Sequence, residues 1–266
     1  VRYWAARARL GVDTAYDEQL FRVGKRLCTK LFNASKFAVG RFGDIDPTLL
    51  GPDKVLTEVD RAVVQTLRPL ITRATEAFES FDYAQAMQLT EDYFWQTFCD
   101  NYLELAKPRT YIEELTDERL SAASTLRIMH RVLVRMLAPF VPYLAEEVWG
   151  WCYKSDPDMA KSIHRSPWPS TDELANIPKP LSEHVYPAAV DVIEAVRKAK
   201  AEANLSMKAP VERVEANASS EVVAALRHAV DDLSGMLHIE QFELAEGEPG
   251  EGLVQCEVVA GAAEKS

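Results

Sequence analysis

The chain has 266 residues, 47% hydrophobic and 27% charged, enough to bury a substantial core in one large and one smaller domain. Gly (11) and Pro (14) together make up less than a tenth of the residues, which excludes collagen-like or wholly disordered behaviour. The net charge of −11 argues against a nucleic-acid partner when taken whole, yet residues 1–41 hold nine Lys/Arg and three acids, a local +6. The remaining residues carry −17, so a polyanion would be attracted at one end of the sequence and repelled elsewhere.

Residues 1–16 open within a helical pattern, without an initiating Met, and read as the end of a preceding region. These first residues carry no charged-then-apolar signal segment, and no apolar stretch approaches a membrane span; the expectation is a cytoplasmic protein with no membrane partner. Cys28, Cys99, Cys152 and Cys256 stand far apart, with no CxxC pair or zinc spacing, and read as reduced thiols. Helical periodicity dominates from Asp17 to about Trp151. The expected helices run from Glu18 to Gly40, from Pro52 or Thr57 to Phe78 with an interruption near Pro69, and from Tyr83 to Lys107, ended by Pro108. A fourth runs from the Thr116/Asp117 cap to Leu137, and a short one from Tyr143 to Trp151. Long helices with short connections predict an antiparallel bundle over 17–152.

Five prolines in 153–181 predict an extended connector. After it, an amphipathic helix from Glu183 to Asn204, a strand from Val211, a helix from Ser220 to Leu233 and strands at Ile239–Leu244 and Leu253–Val259 predict a small α+β domain over 182–266. The fold class is therefore mostly α: a helix bundle followed by a small α+β unit.

The first long helix carries the functional signal. On a wheel of 100° per residue, Leu20, Gly24, Leu27, Leu31, Ala34 and Ala38 form one core stripe. Arg22, Arg26, Lys30, Asn33 and Phe37 gather on the other side, flanked by Lys25, Thr29 and Lys36. A solvated face accounts for the charges but not for a phenyl ring among them, since an exposed ring gains nothing from folding. Cations that hold phosphates beside a ring that stacks an unpaired base fit single-stranded nucleic acid.

The other chemistry-bearing residues read as structural. The five histidines (130, 164, 184, 228, 238) have no nucleophile at a motif spacing, and His130 reads as a surface or packing residue. Asp100, Glu104 and Lys107 read as helix-surface ion pairs, and Glu146 and Glu147 point in different helix directions. Trp95, Trp149 and Trp151 read as packing anchors, and His164 and Trp168 as fasteners of the connector.

The stretches "VRYWAARARLGVDTAYDE", "VGKRLCTKLFNASKF", "FWQTFCDNYLELAKPR", "LAPFVPYLAEEVW" and "SIHRSPWP" resemble, in order, landmarks of the valyl-tRNA synthetases over residues 1–170. The resemblance implies that 1–16 close the catalytic and stem-contact region and that 17–152 are an anticodon-binding bundle. It implies a monomeric protein whose partners are the anticodon loop of tRNA(Val) and a catalytic domain of the same protein. The family's NKLYNAARF pattern falls on Thr29–Phe37, which implies that Lys30 and Asn33 meet the anticodon, Lys36 holds phosphate and Phe37 stacks. Lys36 stands where an Arg is frequent, so the charge is kept and a bidentate fork is lost. A base-reading Arg of some members falls near Gln19, which removes that contact. Neither a HIGH-like nor a KMSKS motif occurs; ATP with Mg2+ is implied for the full-length enzyme, and neither a cofactor nor catalysis for this chain. The alternatives are the isoleucyl or leucyl relatives, a helical protein-interaction scaffold favoured by the acidic remainder, and an enzyme with its site in the α+β domain.

Overall fold

The computed structural model describes residues 1–154, 156, 159–248 and 252–261. The chain divides into two compact units, one of Val1–Val55, Val64–Asp100 and Leu120–Ile177, the other of Leu56–Val63, Asn101–Arg119 and Pro178–Ser266. The first unit thus takes in the N-terminal segment and the connector beside the bundle residues, and the second draws residues 101–119 together with the C-terminal part.

In the first unit, α1 (Arg2–Arg7) lies against α2 (Glu18–Phe42) and α5 (Tyr83–Asp92). Buried Tyr3 donates its hydroxyl proton to the Glu91 carboxylate at 2.8 Å, and Arg7 approaches the same carboxylate at 3.3 Å. A Cβ on Gly24 would lie 2.5 Å from Tyr3 Cβ, so the bare helix surface at Gly24 is what admits the Tyr3 side chain. Asp17 caps α2 by accepting from the Gln19 amide at 2.7 Å. The helix passes Gly40 and ends at Phe42, two residues beyond the expected exit, with Gly43 as its C-cap.

α3 (Glu58–Gln65) and α4 (Leu67–Glu79) are separated at Thr66, and Pro69 then sits in the first turn of α4, where its missing N–H costs no bond. α4 and α5 are joined by a tight turn in which Phe81 adopts φ 62°. A π-helical stretch, Tyr93–Tyr102, follows α5 directly and leads into α6 (Leu103–Thr110). The helix was expected to end at Lys107, but α6 continues through Pro108 to Thr110. Arg109, one residue beyond Pro108, is buried and held by two carboxylates, which fixes the last turn despite the hydrogen bond that proline removes.

α7 (Asp117–Leu137) has the expected bounds. His130, which lies on it, is not at the surface. It is 1% exposed, with its ring nitrogens 2.8 Å from the Tyr153 hydroxyl and 2.9 Å from Ser35 Oγ, and burial pushes its pKa down to about 3. α8 (Pro142–Cys152) buries Trp149, whose indole donates to the Ala160 carbonyl at 2.8 Å. The connector carries two short 3-10 turns, Ile163–Arg165 and Thr171–Leu174, begun by Ser162 and Ser170. Trp168 fastens it by donating to Thr75 Oγ1 at 2.9 Å, and Arg135 does so through the Glu173 carboxylate at 2.6 Å. Glu146 accepts from Ser162 and Ile163 whereas Glu147 accepts from Trp151, so the two carboxylates do diverge. Ser155, Pro157 and Asp158 of the expected connector lie outside the described residues.

In the second unit, α9 (Val185–Glu202) packs against an edge strand, the third, of a three-stranded sheet of order β2-β1-β3. β1 (Val211–Ala218) is central, parallel to β2 (Ile239–Glu246) and antiparallel to β3 (Val254–Ala260). The expected single helix from Ser220 to Leu233 is instead two, α10 (Ser220–Leu226) and α11 (Val230–Leu237). Bonds from His228 N to the Ala225 carbonyl and from Ala229 N to the Leu226 carbonyl tighten the turn and end α10, an interruption that apolar spacing does not register. Arg109 pairs with Asp60 at 2.7 Å and with Asp232 at 2.8 Å, tying α6 to α3 and α11 within this unit. Buried Lys200 donates to the carbonyls of Met207 and Leu237, the latter the last residue of α11. Residues 249–251, between the two expected strands, and residues 262–266 lie outside the described residues.

Candidate nucleic-acid interface

The buried residues of α2 are Gly24, Leu27, Leu31, Ala34, Ser35, Ala38 and Phe42. That stripe reproduces the core face read from the wheel, apart from half-buried Leu20, and so fixes the opposite face outward. Arg22, Lys25, Arg26, Thr29, Asn33 and Lys36 are all exposed on that face. Five cations, counting Lys30, project from less than five turns of one helix, and Lys30 among them lies near the acidic Asp100. Gly40 lies in the same exposed strip, and a Cβ there would meet nothing within 4 Å.

Two of the expected contact residues sit at the margin of the strip. Lys30 keeps 36% of its side chain exposed, with its ammonium 3.7 Å from Asp100 Oδ1 and 5.4 Å from the centre of the Trp95 ring. Phe37 is half-buried, with the Arg41 guanidinium 5.4 Å from its ring centre. Arg41 entered the sequence reading as charge alone; one helical turn beyond Phe37, it was within reach of the i, i+4 rule. Across the helix, Phe32 is 41% exposed and meets Trp151 edge to face, ring centres 5.3 Å apart at 84°. Trp95 and Trp151, expected as packing anchors, are half-buried and stand beside α2 residues.

Near the start of α2, a cleft of about 360 Å³ lies between α1, α2 and the start of α8, reaching Lys25, Cys28 and the exposed Tyr143. Burial pushes the Cys28 thiol up, which keeps it protonated and unsuited to nucleophilic work. Exposed cations with aromatic rings at their edges can hold phosphates and stack bases.

The family model described as "Anticodon-binding domain of tRNA ligase" matches residues 60–216, more than half of the chain. The chain belongs to that family. Its similar relatives include valine–tRNA ligases of Thermobifida fusca (strain YX), 43% identical over 80% of this chain, and Bifidobacterium longum (strain NCC 2705), 37% identical over 99% of it. A third, from Ehrlichia canis (strain Jake), is 40% identical over 82%. The chain covers 23%, 31% and 26% of those three proteins, so it spans about a quarter to a third of their length. The family model begins at residue 60, beyond α2; the Bifidobacterium relative, which matches 99% of the chain, takes in that helix as well.

Proposed function

We propose that this chain is the tRNA-binding part of a valine–tRNA ligase and that the exposed face of α2 receives the anticodon loop of tRNA(Val). The observation that carries the reading is the outward strip of cations on α2, in a chain of the anticodon-binding family whose relatives are named valine–tRNA ligases. Arg22, Lys25, Arg26 and Lys36 hold phosphates, Asn33 offers both donor and acceptor to a base edge, and Lys30 and Phe37 shape the margin where a base stacks. Activation of valine with ATP and Mg2+ belongs to other parts of the ligase, because the motifs for that chemistry are not in this sequence. The chain works as a monomer in the cytoplasm, and residues 17–152 supply the binding surface.

Binding of the chain to tRNA with a valine anticodon and to the same tRNA with an altered anticodon tests this. The reading predicts weaker binding to the altered tRNA. Equal affinities would leave only nonspecific attraction to a polyanion.

A further inference from the structure

The strip on α2 has two margins. Lys30 over Trp95 and Arg41 over Phe37 form one of them. The other is the Phe32–Trp151 pair, across the exposed strip. Single exposed apolar residues are ordinary on protein surfaces. This one is unusual in its setting. Phe32 stands one turn before exposed Lys36, and Trp151 is held in place as its indole donates to Glu147 Oε1 at 3.1 Å. The Glu147 charge disfavours a phosphate at this wall, so the moiety that fits against it is a base, whose backbone runs along the cations of the strip. An exposed aromatic ring beside a cationic groove is what single-stranded RNA-binding surfaces use to stack bases.

We propose that Phe32 and Trp151 form a second stacking wall, which takes an unpaired RNA base different from the one at Phe37. The idea rests on the reading of α2 as the RNA-binding face. Two walls flanking one helix would hold the loop splayed, with bases turned to opposite margins and phosphates along the middle.

The test uses the whole chain and a short RNA hairpin that carries a valine anticodon in its loop, with affinity followed by fluorescence anisotropy. Phe32→Leu and Trp151→Leu keep apolar volume and remove the ring system. Each is expected to weaken binding about five- to a hundredfold, the range of one lost base–aromatic stack. The salt dependence is expected to stay unchanged, since no phosphate contact is lost. Phe32→Tyr and Trp151→Phe keep a ring and should retain most of the affinity, which guards against a variant that simply fails to fold. Hairpins with one abasic loop position at a time locate the base: at one position the abasic penalty should vanish in Trp151→Leu, and at another in Phe37→Leu. Unchanged affinity in Phe32→Leu and Trp151→Leu, with binding weakened by Phe37→Leu, would overturn the second wall and leave the α2 reading standing. Unchanged affinity in all three, together with Lys36→Gln, would overturn both.

Discussion

Replacing Asp60 by Asn probes the strongest electrostatic commitment in the second unit. Asp60 is fully buried and accepts from Arg109 Nη1 at 2.7 Å, Arg109 Nη2 at 2.9 Å and the Tyr102 hydroxyl at 2.7 Å. The Asn side chain has the same shape but no charge, so the 8% exposed guanidinium loses its bidentate counter-ion in a place water does not reach. Removing one partner of a buried pair costs about 3–5 kcal/mol, and the lower half of that range is expected here because Asp232 stays 2.8 Å from Arg109 Nε. Burial, with the Asp60 charge adding to it, holds Asp232 up to about 6, so the unaltered chain gains stability by proton uptake at Asp232 as pH falls from 7.5 to 5.5; without the Asp60 charge that uptake moves to lower pH, and the cost should grow at pH 5.5. Urea unfolding of both proteins, followed by far-ultraviolet circular dichroism at the two pH values, gives the difference. Replacing the whole triad, Asp60→Leu with Arg109→Met and Asp232→Leu, should recover much of the loss, since apolar groups can stand in for a buried charged cluster when no member is left unpaired. A cost under about 1 kcal/mol for Asp60→Asn would show that the pair is solvated, and the reasoning from burial would fail.

His130 sets the acid limb of stability. Its folded-state pKa of about 3 lies below the ordinary value, so the unfolded chain binds the proton first as pH falls below about 6.5. Stability from this site is then lost by roughly 1.4 kcal/mol per pH unit down to about pH 3, and His130→Gln should flatten that limb in urea titrations. Two glycines of α2 should respond with opposite signs. Gly24→Ala drives a Cβ to 2.5 Å from Tyr3 Cβ and should destabilise by about 1–3 kcal/mol, whereas Gly40→Ala meets nothing and should stabilise by about 0.5–1 kcal/mol in thermal melts.

The core stripe of α2 and the bounds of α7 were legible because a 3.6-residue period and a capping region are local signals. The exposure of Arg22, Lys25, Arg26, Asn33 and Lys36 followed from the same period. What neighbouring elements do to a residue was not legible. The burial of His130 depends on Ser35 and Tyr153, and the survival of α6 past Pro108 depends on Asp60 and Asp232, up to 123 residues away in sequence. Phe32 passed unnoticed because its partner Trp151 lies on another helix. The division of the C-terminal helix into α10 and α11 escaped for a related reason: an apolar period persists through the turn that interrupts it.

The account stands or falls on the phosphate contacts of α2. Affinity for the valine-anticodon hairpin, measured across a salt series with Arg26→Gln, Lys36→Gln and the double variant, tests them directly. The predicted slope of log affinity against log salt falls by about 0.7 for each cation removed and about 1.4 for both, with unchanged melting temperatures. Slopes indistinguishable from that of the unaltered chain would place the RNA elsewhere and contradict the account.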